Sequence, residues 1–118
     1  MLALAALLIL AIALAHSYLG ERYILVRLFR QSLPKLFGSD EFTKRTLRFA
    51  WHVTSVAWLG FAALLLQAGF GELTRTNVLL VTGITFATTA LIALIGGRGK
   101  HLSWPVFTAI AVLSFLAL

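Results

Sequence analysis

Apolar residues in this chain come in long unbroken runs, and the charged residues lie between them. Leu2 to Gly20 carries no Asp, Glu, Lys or Arg. The next such runs are Phe49 to Gly71, Thr76 to Gly97 and Leu102 to Leu118. A bilayer core about 30 Å thick takes about 20 helical residues to cross. Backbone N–H and C=O groups in lipid must pair within their own segment, and each run is too long for one barrel strand. The pattern predicts an all-α membrane protein: four transmembrane helices over 2–20, 49–71, 76–97 and 102–118, one domain over 1–118, folded as an antiparallel bundle.

The connections differ in kind. Residues 21–48 are long and basic. Glu72 to Arg75 is a tight polar turn, and Arg98 to His101 is a short turn after Gly96-Gly97. In the long connection Tyr23, Ile24, Leu25, Val26, Leu28 and Phe29 alternate with Arg22, Arg27 and Arg30. This predicts that the first helix runs on past the bilayer, with basic side chains reaching for phosphates. Pro34 ends it. Ser39 or Asp40 then caps a second helix that enters the membrane through Lys44 and Arg48. The two form a basic helical hairpin above the surface. Ser103 and Pro105 mark the start of the last helix.

Composition agrees with the pattern. The chain is 60% hydrophobic and 12% charged over 118 residues, against about 45–50% and about 25% in soluble domains. The net charge of +6 points to anionic lipid headgroups and topology. Nucleic acid is not indicated, because the charges form no soluble basic face. The absence of cysteine excludes disulfides, thiolate metal sites and cysteine nucleophiles. Seven Lys and Arg lie in the first connection and two in the third, against one in the second. The positive-inside rule then places the first and third connections in the cytoplasm and both termini outside. Ala13-Leu14-Ala15 has the small-residue form of a signal-cleavage site. However, only Met1 precedes the apolar run, without Lys or Arg, so the first helix is expected to be retained.

Ionisable residues in a membrane are costly and therefore candidates for function. His16 lies about 6 Å inside the cytoplasmic end of the first span, and His52 about 4–5 Å inside that of the second. The spans are sequential and antiparallel, so the two imidazoles sit at similar depth on neighbouring helices. Ser17 and Glu21 share one face, four residues apart; Arg48, His52 and Ser55 form a stripe on the other helix. Glu21 is placed to pair with Arg48 or Arg45. His16, Glu21, Arg48 and His52 are thus a candidate polar cluster. It has four readings: a hydrogen-bonded clamp that fixes helix pairing, a haem or metal site ligated by His16 and His52, a proton relay, or an acid–base site for a lipidic substrate. His101 reads as an interfacial residue. Thr82, Thr85 and Thr89 share a face of the third span; such a stripe either lines a polar path or bonds within the helices. Gly83 with Ala87 and Ala11 with Ala15 are small-xxx-small pairs suited to close packing. Trp51, Trp104, Tyr18 and Tyr23 read as an interfacial aromatic belt, with Trp58 deeper. No HExxH, P-loop or GxSxG pattern is present, so no enzyme class is indicated.

Two motifs carry a resemblance. His16-Ser17-Tyr18-Leu19-Gly20-Glu21 and Arg48-Phe49-Ala50-Trp51-His52, followed by Trp58, resemble the HSxxGE-like and RxxWH-like sequences of a group of small uncharacterised bacterial inner-membrane proteins with four predicted spans. The resemblance implies a multi-pass inner-membrane protein and brings no catalytic residues. A looser likeness to copper-resistance membrane proteins does not extend to a copper site. The expectation is a non-enzymatic accessory or oligomeric membrane protein, acting with copies of itself or with other membrane subunits. The alternatives are a haem- or metal-binding protein and a small oligomeric transporter or channel.

Overall fold

A computed structural model describes residues 1–118, and it is all-helical. Helix α1 spans Leu2–Leu28, α2 Glu41–Phe70, α3 Arg75–Gly96 and α4 Ser103–Leu116. Three of the four, α1 to α3, are long and apolar enough to cross a membrane. The expected fourth span is shorter. Helix α4 has 14 residues, or about 21 Å against a hydrocarbon core of about 30 Å. It starts one residue later than expected, at Ser103, and ends two earlier, at Leu116. Arg98 and Gly99 both have positive φ, at 50° and 73°, so residues 97–102 cannot continue either neighbouring helix.

The extension of α1 past its apolar run is present, as is the long α2. Of the two residues expected to cap α2, only Ser39 meets a helical N–H. Asp40 makes no side-chain cap. Its Oδ2 instead accepts the Leu33 N–H at 3.2 Å and pairs with Lys44 at 2.8 Å. Ser39 Oγ accepts the Glu41 N–H at 3.4 Å.

The helices stand in a row and do not close around a common axis. Helix α1 packs only on α2, α2 on α1 and α3, and α4 only on α3. The Cα envelope measures 51 × 32 × 14 Å. Helices pack about 8–10 Å apart, so 32 Å is four helices abreast and 14 Å is one helix thick. Successive helices are antiparallel: Leu2 lies against Gly69, His16 against Ser55 and Glu21 against Arg48.

Small residues form the seams. Ala6, Ala13 and Gly20 are buried on α1, spaced seven apart, as are Ala62 on α2, Ala90 and Ala93 on α3 and Ala111 on α4. A seven-residue repeat of small side chains is the left-handed packing geometry. It replaces the expected Ala11–Ala15 pair, which is off the seam: Ala11 is exposed. Likewise Gly83 is buried against the Phe115 ring while Ala87 is exposed. Large apolar side chains point outward on both faces of the row. Thr54, Thr88 and Thr108 are exposed among them. Each hydroxyl donates to the carbonyl four residues back, at 3.2, 2.9 and 2.8 Å. Polar groups satisfied within their own helix suit lipid.

Candidate functional site

The α1–α2 seam places six polar side chains, three from each helix, face to face at one end of the row. Ser55 is buried, and its Oγ lies 3.1 Å from His16 Nδ1 and 2.8 Å from Ser17 Oγ. Ser17 Oγ lies 3.0 Å from His52 Nδ1. His52 Nε2 is 3.2 Å from Glu21 Oε2. Arg48 closes the series with a bidentate pair, donating from Nε to Oε2 at 3.2 Å and from Nη2 to Oε1 at 3.0 Å. The result is one unbroken hydrogen-bonded chain, His16–Ser55–Ser17–His52–Glu21–Arg48, which crosses the seam at every step.

Local structure explains the placement. At Gly20–Leu25 the α1 backbone widens into a π turn. π turns are rare and concentrate at functional sites. The turn begins at Gly20, where the Trp51 indole lies against the backbone: a Cβ there would sit 2.0 Å from Trp51 Nε1. Trp51 donates Nε1–H to the His16 carbonyl at 3.0 Å. Its ring stacks on the His16 imidazole, centroids 4.6 Å apart and planes 6° from parallel, and Trp58 meets the same imidazole edge-on at 4.9 Å. Trp51 is therefore a wall of the site, and not simply the belt anchor its position suggests. Arg48 also lies over the Phe29 ring at 4.9 Å.

The chain ends differ in exposure. The Arg48 side chain is 50% exposed, Glu21 34% and His52 31%, whereas Ser55 is buried. Charge thus sits at the wet end and neutral hydroxyls at the dry end, as the cost of burying an ion requires.

The hydrogens on this chain have two consistent arrangements. In one, His52 donates from both nitrogens, to Glu21 and to Ser17; Ser17 donates to Ser55, and Ser55 to His16 Nδ1. In the other every bond between the two imidazoles is reversed: His16 Nδ1–H donates to Ser55, Ser55 to Ser17 and Ser17 to His52 Nδ1. The two differ by one proton.

The two imidazoles face each other through the serines. Both Nδ1 atoms are engaged by serine hydroxyls, two oxygens stand between the rings, and no group of three His, Asp or Glu side chains surrounds a common point. His101 lies apart, packed between Phe42 at 6.0 Å and Phe49 at 5.0 Å, with Nδ1 2.7 Å from Ser103 Oγ. Thr82, Thr85 and Thr89 do share a face. They look across a cavity of about 220 Å³ at Val53, Gly60 and Phe61 of α2, a mostly apolar lining that offers no continuous polar path. Arg45, the other expected partner of Glu21, pairs with Glu41 at 2.6 Å.

The chain matches no protein-family model, no curated protein and no solved structure.

Proposed function

We propose that this is a non-enzymatic integral membrane protein that works as an oligomer or as an accessory subunit of a larger membrane assembly. The observation that supports the reading is the row itself: four helices abreast and one helix thick, 14 Å. A single layer has two broad faces and no enclosed core to shield a reaction from lipid. Membrane helix layers of this kind gain packing by laying a face on another protein. On this reading the chain is a bacterial inner-membrane protein with four spans, α4 being a short one, and the basic connections at 29–40 and 97–102 lie in the cytoplasm beside anionic headgroups. The His16–Arg48 cluster clamps α1 to α2. The test is the mass of the complex purified in a mild detergent, with cross-linking in native membranes. Two or more copies, or a stoichiometric second protein, is the expected result. A lone monomer by both measurements refutes it.

A second reading has one observation in its favour, the reversible hydrogen-bonded chain. A proton taken up at His16 Nε2 and passed through Ser55 and Ser17 appears on His52 beside the Glu21 carboxylate, with Arg48 on its far side. The cluster then exchanges protons along the seam, without crossing the membrane. ¹⁵N spectra of His16 and His52 test this. In the wild type the Nδ1 hydrogen bonds of the two rings reverse together; in Ser55→Ala the link between the rings is lost. Rings that respond independently in the wild type refute it.

A further inference from the structure

Between α2 and α3, at the same end of the row, lies a cavity of about 650 Å³ that the hydrogen-bonded chain does not fill. Its size falls within the range of about 300–1,000 Å³ typical of small-molecule sites. One wall carries Lys44, Arg45 and Arg48 of α2, and the opposite wall is Leu91, Ile92 and Ile95 of α3. We propose that this cavity binds one anionic glycerophospholipid, its phosphate on the three cations and an acyl chain along the apolar wall.

Donors and depth support the assignment: each cation already pairs with one carboxylate, Lys44 with Asp40, Arg45 with Glu41 and Arg48 with Glu21, so a phosphate is held by the donors that remain. Of these carboxylates only Glu41 lines the cavity. Every cation keeps donors in hand. Arg45 engages Glu41 through Nε and Arg48 engages Glu21 through Nε and Nη2, while a guanidinium carries five N–H groups and an ammonium three. Arg48 follows Lys44 by four residues and Arg45 by three, so its guanidinium neighbours both, and all three side chains line the one cavity.

The order along the helices matches a lipid. Gly96 of α3 lies against Phe49 of α2, which puts Ile95, Ile92 and Leu91 level with Phe49 and the turn beyond it. The cations at 44 and 45 are a turn nearer the helix start. Polarity therefore runs from cationic to apolar in the direction of the bilayer core. Leu91 and Ile95 are 56% and 67% exposed, so the cavity opens sideways, where a lipid enters without leaving the membrane. A free phosphate or other soluble anion gains nothing from that wall.

The test is native mass spectrometry of the full-length protein in mild detergent, titrated with phosphatidylglycerol, with phosphatidylcholine of the same chains, and with inorganic phosphate. Wild type is expected to retain one phosphatidylglycerol per chain in preference to phosphatidylcholine. Lys44→Gln/Arg45→Gln leaves the Glu21–Arg48 pair intact and is expected to weaken that retention about 30-fold, each cation near a headgroup counting for about a factor of five. Lys44→Arg/Arg45→Lys restores it. Equal retention of the two lipids by wild type overturns the proposal whether or not the variants fold. So does unchanged retention in the Gln variant, or displacement of the bound lipid by millimolar phosphate, which assigns the cations to a soluble anion.

Discussion

Replacing Gly20 with alanine pits two effects of opposite sign against each other. In a helix interior Gly→Ala stabilises by about 1 kcal/mol through backbone entropy. Here the new Cβ would lie 2.0 Å from Trp51 Nε1, 2.4 Å from Cε2 and 2.7 Å from Cζ2, so the indole has to move. Overpacking of this kind costs about 1–3 kcal/mol. Moving the ring also breaks the Trp51–His16 carbonyl hydrogen bond, 3.0 Å, at about 1 kcal/mol. The sum is a net loss of about 1–3 kcal/mol, because the two costs together exceed the propensity gain. At about 4 °C per kcal/mol for a chain of this size, the melting temperature falls by about 4–12 °C. The assay is thermal unfolding in a fixed detergent, followed by circular dichroism and by tryptophan fluorescence. The partner variant is Trp51→Leu. If the ring is the obstacle, Gly20→Ala is much less harmful, or stabilising, in the Trp51→Leu background. A Gly20→Ala single variant as stable as wild type, or an equal loss in both backgrounds, refutes the close approach of α2 to the π turn.

Two further outcomes follow from the same geometry. Ser55→Ala removes a buried hydroxyl that meets His16 and Ser17 at once and costs about 2–3 kcal/mol by leaving both without their partner; denaturation in detergent against Ser114→Ala, whose hydroxyl only bonds back to Ile110, checks it. Asp40 outside the membrane has a carboxyl held below its ordinary value, first by the Lys44 hydrogen bond and then by the Leu33 N–H. A lowered carboxyl pKa contributes order that is present above the unfolded value, about 4, and lost as pH falls through the lower folded one. Protection of the Leu33 amide, its exchange rate relative to that of an unstructured chain at the same pH, should therefore fall below about pH 4 in wild type, and be low and independent of pH in Asp40→Asn.

Helix positions were readable because charge-free runs and the bilayer's demand on the backbone leave few alternatives. The α1 and α2 extensions were readable too, since Arg22, Arg27 and Arg30 keep an apolar interleaf and Asp40-Glu41 suits a helix start. The row was not. Binary pattern says which residues avoid water, and in lipid both faces of a helix do, so the pattern cannot distinguish a closed bundle from a sheet of helices. The seam was hidden for the same reason: Ala6, Ala13 and Gly20 stand out only once the partner helix is placed, whereas Ala11 and Ala15 satisfy the same small-residue rule. In the site, equal depth brought His16, Glu21, Arg48 and His52 together as candidates, and the Ser17 and Ser55 faces were visible in the four-residue spacing. That both serines stand between the imidazoles depends on helix rotation, which Gly20 and Trp51 set. Trp51 reads as a membrane anchor by position, and only the stacked geometry shows it holding His16.

A row in which each helix meets only its neighbours in sequence also fixes how the chain assembles. Every stabilising seam is complete as soon as the second of two consecutive helices emerges, so α1 and α2 can pair during synthesis before α3 exists. Loop-closure entropy stays small at each step. Stability then adds seam by seam, as in a linear repeat array, and damage at the α1–α2 seam leaves the α3–α4 hairpin folded.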